Sequence, residues 1–274
     1  MNDKIQRVFL VGAPRSGTTL LQSLLASHSQ IVTLPETKFF NFIGNGQRRF
    51  CRLGIANKKQ QNVYHNFCGM LPSMPFLLPK NPYFVFAYAK LFLRAMDSLA
   101  MQQNRSVWLE KTPSHALNVR NIEKYIPGVK FVHNVRNGRD NIASIYDACL
   151  KYPETFGDAD IPLIFEWWKK HIIASIRYSG KPNHLIVGYP QVVNDTKLTL
   201  QKVCDFIGIP FEEEMLDRDN NTISKLIIQE KWKDEVHSPI ESRDNRKFCT
   251  LFTEEEQEWI LERLSQIDLS SLPV

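Results

Sequence analysis

The turn Gly12–Thr19, read GAPRSGTT, has the residue types of an anion cradle. Gly12 and Gly17 permit a tight turn whose backbone N–H groups point inward. A helix opening near Thr18 directs its positive end at the same point. Ser16, Thr18 and Thr19 add hydroxyl donors, and Arg15 adds a charged fork. The glycine spacing is that of a GxxxxGK[ST] nucleotide loop, but Thr18 stands where the lysine belongs. An NTPase without that lysine loses its hold on the β- and γ-phosphates. The loop is therefore expected to bind phosphate chemistry of another kind. A second candidate anion site lies in KFVHNVRNGRDNIASIYD, Lys130–Asp147. Arg136 closes an apolar run, Asn137 is placed to cap the next helix, and Ser144 follows about two turns in. An arginine and a serine so spaced can grip one phosphate from two sides, with Arg139 as a further helper.

These residues need a scaffold, and the apolar runs supply one. Val8–Val11, Ile31–Thr33, Val107–Leu109, Lys130–Val135 and Leu185–Val187 read as buried strands. Helical patterns at Thr18–Ala26, Phe84–Gln102, Ala116–Tyr125, Arg139–Leu150, Pro162–Ser179 and Thr196–Ile207 separate most of them. The alternation predicts an α/β fold with a central parallel β-sheet flanked by helices. Ligands on such sheets sit at the carboxyl ends of strands, where both anion motifs fall. The length of 274 residues is expected to form one domain, 1–274. Two stretches break the rhythm: an irregular acceptor-side excursion over about 39–105 and an irregular or helical C-terminal cap over about 220–274.

Strand, PRSGTTLL and helix together resemble the 5′-phosphosulfate loop of sulfotransferases that use 3′-phosphoadenosine 5′-phosphosulfate (PAPS). Arg136 and Ser144 match that family's 3′-phosphate motif. ATP has no 3′-phosphate, so a ligand needing both sites is PAPS or its product, adenosine 3′,5′-bisphosphate (PAP). The segment IVTLPETKFF, Ile31–Phe40, is similar to the PETxFF segment of heparan-type and bacterial members, which implies that Glu36 is the base. VWLEKTPSHALNV, Val107–Val119, resembles the family's KTP segment, which implies that Lys111 stabilises the leaving phosphate oxygen. His115 is the rival base. Cytosolic members carry a histidine two residues after this lysine, where Pro113 stands here; that departure favours Glu36 and leaves His115 as an acceptor contact or a surface histidine. Glu110 is assigned no role. Tyr189 is the candidate adenine contact, although Tyr-Pro-Gln-Val replaces the usual pattern closer to Tyr-Glu-Asp-Leu. SRDNRKF, Ser242–Phe248, is similar to the basic cofactor-closing loop but lacks its Lys-Gly pattern; it offers Arg246 and Lys247 as 3′-phosphate contacts. The resemblance runs from Val8 to about Leu216.

The composition narrows the alternatives. A net charge of +5 contains no basic run that would argue for nucleic acid. Five scattered cysteines without CxxC favour reduced thiols in a cytoplasm, and no Cys/His spacing suggests a metal. No signal peptide is visible, and the most apolar segment, Tyr83–Met96, contains Lys90 and Arg94 and is too short for a membrane span. The expected partner is a small-molecule acceptor with a hydroxyl or amine, such as a secondary metabolite. Phe42, Phe50, Phe67, Phe76, Tyr83, Phe84, Phe86 and Tyr88 either line its pocket or pack the core. The rivals are a small-molecule kinase of the P-loop type and a non-catalytic nucleotide binder.

Overall fold

The computed structural model describes residues 5–42, 56, 58–71, 84–217 and 246–274. Five strands form one all-parallel sheet: β1 (Gln6–Gly12), β2 (Ile31–Thr33), β3 (Val107–Lys111), β4 (Val129–Val135) and β5 (His184–Gly188). Their spatial order is β2-β3-β1-β4-β5. The expected strands are all present, each extended by at most two residues at either end. The chain leaves β1 toward the β2 edge and leaves β4 toward the β5 edge. The order therefore switches between β1 and β4, where a crevice opens at the carboxyl ends.

Helices α1 (Thr18–Ala26), α2 (Lys58–Gly69), α3 (Val85–Gln102), α4 (Val119–Tyr125), α5 (Gly138–Lys151), α6 (Ile161–Ile176) and α7 (Thr196–Ile207) follow in chain order. After them come α8 (Arg246–Leu251) and α9 (Glu254–Ser265). No helix among the described residues is long and apolar enough to cross a membrane. Strand periodicity sorts β1 onto two faces. Val8 and Leu10 pack with Leu21, Leu24 and Leu25 of α1 and with Val203 and Ile207 of α7. Phe9 and Val11 pack on the other face with Phe92 of α3, Trp108 and Phe131.

Two local departures from expectation have physical causes. Helix α2 lies within the stretch that shows no periodicity. Its buried stripe is Gln60, Tyr64 and Phe67, so only one plain hydrocarbon marks the helical face. The segment expected as a helix from Ala116 begins instead as a 3₁₀ turn, Pro113–Asn118, before α4. Proline near its start and a histidine tied to β3 explain the tighter winding.

Candidate active site

The glycine turn leaves β1 through two left-handed residues, Arg15 with φ 63° and Gly17 with φ 96°. This backbone is the concave arrangement that gathers N–H groups around an anion. Three side chains that sequence reasoning left unused or treated separately hold it. Asn134 Nδ2 donates to the Ser16 carbonyl at 2.8 Å, and Asn141 Nδ2 donates to the Pro14 carbonyl at 2.8 Å. Arg136 Nη1 reaches the Arg15 carbonyl at 3.4 Å. The β1–β4 register, Gly12 opposite Asn134, makes these contacts possible. Both predicted anion motifs thus meet at one crevice.

Tyr189 opens a helical turn after β5 and lies over the cradle. A Cβ added to Gly17 would sit 2.3 Å from its ring. The Arg136 guanidinium also lies over this ring, 4.6 Å from its centroid. The aromatic expected at adenine therefore links the two anion motifs in this structure. Ser16 Oγ is fully buried with no hydrogen-bond partner among the described residues. A donor in that state suits a bound phosphate oxygen.

Ser144 is buried on α5, whose N-terminus is capped by the Asn137 side chain as expected. Helix α8 returns to the same helix. Lys247 Nζ bonds Asp147 Oδ2 at 2.6 Å, and Lys151 bonds the same oxygen at 2.9 Å. Burial alone would raise the Asp147 pKa, but the two ammonium groups hold it below its ordinary value. Arg139 lies 5.7 Å from the Phe248 ring centroid. Lys247, expected on a 3′-phosphate, is thus engaged by a carboxylate one turn beyond Ser144. Arg246 is exposed at the start of α8.

Lys111 ends β3 with its side chain fully buried. Its Nζ donates to Glu36 Oε1 at 2.5 Å and to Thr19 Oγ1 at 3.3 Å. The ammonium therefore joins the segment carrying Glu36 to the first turn of α1. Several anchors place that segment. Gln22 of α1 donates to Thr33 Oγ1 at 2.9 Å and to the Leu34 carbonyl at 3.0 Å. Phe39 and Phe40 are buried against Phe92, with ring centroids 4.7 and 5.3 Å away. Burying each ring contributes about 2 kcal/mol, enough to offset the roughly 1–2 kcal/mol cost of ordering its backbone.

His115 occupies a different place from Glu36. It is fully buried, its Nδ1 lies 2.8 Å from Glu110 Oε2, and its Nε2 accepts the Phe40 N–H at 3.0 Å. Both ring nitrogens serve the fold, so the ring offers no lone pair to an acceptor here. The aromatic set divides. Phe67 and Tyr88 are core residues, whereas Phe84 and Phe86 are about half exposed and stack at 5.6 Å. Phe50, Phe76 and Tyr83 lie outside the described residues, as does the Phe42 side chain.

The family model described as "Sulfotransferase family" matches residues 7–213. Sulfotransferase 2A6 of Rattus norvegicus is 30% identical over 100 residues, 32% of this chain and 34% of that protein. Protein-tyrosine sulfotransferase A of Caenorhabditis elegans is 20% identical over 249 residues, 85% of this chain and 58% of that protein. The chain thus spans less than two thirds of the length of either relative. Among solved structures, the sulfotransferase domain of the Synechococcus PCC 7002 olefin synthase has a TM-score of 0.62 at 18% identity, covering 98% of each chain. The sulfotransferase domain from the curacin biosynthetic pathway has a TM-score of 0.59 at 19% identity, covering 95% of this chain and 98% of that one. At these identities the likeness is one of fold.

Proposed function

This chain belongs to the sulfotransferase family, and on that premise we propose that it moves a sulfuryl group from PAPS to a hydroxyl or amine of a small-molecule acceptor. The observation that carries the reading is the buried Lys111 ammonium, shared between Glu36 and Thr19 beside the anion cradle. PAPS, when bound, supplies the sulfuryl group and a phosphate leaving group. Arg15, Ser16, Gly17, Thr18 and Thr19 hold its 5′-phosphosulfate. Arg136 and Ser144 hold its 3′-phosphate, with Tyr189 packed between the two motifs and Arg246 and Lys247 nearby on α8. The buried Ser16 hydroxyl and the left-handed turn fit such a ligand.

Glu36 accepts the proton from the acceptor as the acceptor's oxygen or nitrogen bonds to sulfur. The bond between sulfur and the bridging phosphate oxygen breaks, and the electron pair stays on that oxygen. Lys111 neutralises the charge that develops there. Because one ammonium contacts both Glu36 and the loop helix, acid–base and leaving-group functions are aligned before the acceptor arrives. No step calls for a metal, since arginine and lysine carry the charge. We read the whole chain, 1–274, as one such domain. The two solved neighbours come from an olefin synthase and a biosynthetic pathway; that context supports a small biosynthetic acceptor, and the site favours neither O- nor N-sulfation.

Calorimetry with PAP in the absence of Mg²⁺, with ATP and 5′-AMP as controls, tests the reading. Tight binding that requires the 3′-phosphate is expected. Arg136→Ala should weaken it by about 2 kcal/mol, the worth of a hydrogen bond to a charged group. A preference for ATP with Mg²⁺ would sink the proposal in favour of a kinase. Turnover is then read as PAP release from PAPS with a panel of phenols, alkyl alcohols and amines; PAP binding without transfer to any of them would point to a non-catalytic nucleotide binder.

A further inference from the structure

Glu110 has no part in the chemistry above, yet it is a fully buried carboxylate. Burying an ionised carboxylate costs several kcal/mol unless donors replace its water. Thr37 Oγ1 and Thr112 Oγ1 each donate to its Oε1 at 2.7 Å, and His115 Nδ1–H donates to its Oε2 at 2.8 Å. Burial would raise its pKa, but His115 and the two hydroxyls outweigh that effect and hold it below its ordinary value.

The direction of every bond in this cluster is set. Each hydroxyl accepts a backbone N–H, from Phe39 to Thr37 Oγ1 at 3.2 Å and from Lys38 to Thr112 Oγ1 at 3.1 Å. Each is therefore directed to donate toward Glu110. His115 Nε2 accepts the Phe40 N–H, so its proton sits on Nδ1 and also points to Glu110. Three successive amides, those of Lys38, Phe39 and Phe40, thus hang from one carboxylate. Side chains alternate along a strand, so Glu110 and Lys111 project to opposite faces of β3. The chain straddles the strand end, with Glu36 on Lys111 and Thr37 on Glu110.

We propose that Glu110 is the positioning residue of the transfer reaction: it sets the His115 tautomer and suspends residues 37–40 from the end of β3, so that Glu36 is held against Lys111. This rests on the reading of Glu36 as the base. Glu110 acts through Glu36 and touches neither acceptor nor cofactor.

Glu110→Gln is the isosteric perturbation. If the amide oxygen faces the hydroxyls, the NH₂ faces His115 Nδ1 and drives the proton to Nε2, where it opposes the Phe40 N–H. If the amide is reversed, both hydroxyls lose their acceptor. ¹⁵N spectra of the imidazole should report the Nδ1–H tautomer in the parent protein and its loss or mixing in the variant. A tautomer and a kcat that are both unchanged would overturn the proposal. In the PAPS assay, kcat should fall about 100-fold, the effect of a misplacement near 1 Å, while PAP affinity and the KM for PAPS stay unchanged. A role in stability alone would lower the folded fraction and leave kcat per active site intact. Glu36→Gln/Glu110→Gln should be no slower than Glu36→Gln, because both act on one group; additive losses would overturn the inference. Should Glu110→Gln fail to fold, Thr37→Val removes one donor to Glu110 together with the acceptor of the Phe39 N–H and should lower kcat roughly tenfold; an unchanged kcat there also overturns it. A parent protein that neither binds PAP nor transfers sulfuryl overturns the functional reading and this one together, whereas additive kinetics overturn this one alone.

Discussion

Acid should weaken this fold through a histidine that takes no part in the chemistry. His133 is fully buried on β4 and belongs to a one-way chain of hydrogen bonds. His184 Nε2–H meets Glu123 Oε1 at 3.1 Å, so His184 Nδ1 accepts from His133 Nε2–H at 3.0 Å, and His133 Nδ1 accepts from Ser175 Oγ at 3.1 Å. Phe131 and Tyr178 stack on His184 at 4.8 and 4.5 Å and keep water out. Burial, and secondarily the neighbouring His184, push the His133 pKa from 6.5 down to about 3. At pH 8 the ring is neutral folded or unfolded and pH has no leverage. Below 6.5 the unfolded chain takes up a proton that the folded protein refuses, so stability is lost as pH falls. At pH 5 the loss from this one group is about 2 kcal/mol. Burial also depresses His184 and His171, which act in the same direction. The carboxylates held low, Glu110, Glu123 and Asp147, add their losses only nearer their unfolded values. Urea unfolding at intervals from pH 8 to pH 5 therefore reads mainly the histidines. His133→Asn is expected to be less stable throughout but to show a flatter profile, with about one fewer proton taken up on unfolding near pH 5.5. Equal stability of the parent protein at pH 5 and pH 8, or an undiminished slope in the variant, would refute the reasoning.

Two further outcomes probe the site itself. Glu36→Gln keeps an oxygen for Lys111 but removes the proton acceptor, so turnover of PAPS should fall by at least about 100-fold while PAP affinity measured by calorimetry stays nearly intact; near-normal turnover would remove Glu36 from the mechanism. Gly17→Ala combines a left-handed φ of 96° with a Cβ 2.3 Å from the Tyr189 ring. It should cost roughly 1–3 kcal/mol in stability and weaken PAP binding, and a variant that melts and binds like its parent would show that the cradle tolerates a side chain there.

The strands were legible because parallel strands buried on both faces read as continuous apolar runs, and the two anion motifs could be placed at strand ends from that pattern alone. The ties between motifs were not legible, and the reason is the same in each case. Asn134 interrupts the apolar run of β4 and reads as a weak strand residue; its worth lies in a carbonyl 118 positions away. Tyr189 is a candidate for adenine through the family resemblance, and nothing local to Tyr-Pro-Gln-Val reveals that its ring covers Gly17 and lies against Arg136. Glu110 reads as a charge at a strand end, which is ordinarily solvated. Its donors Thr37, Thr112 and His115 are 73, 2 and 5 positions away, so two lie next door in sequence, yet neither signals burial without the third. That dependence reverses the ranking of Glu110 and His115. From sequence, the histidine four residues after Lys111 is the rival base, an acceptor contact or a surface residue, and Glu110 is a strand-end charge with no assigned role. Once the segment after Glu36 folds across β3, the carboxylate becomes the point from which that segment hangs and the histidine becomes its connector. Polar residues whose partners include a distant segment are invisible to any local pattern, and in this protein those residues set the geometry of the candidate active site.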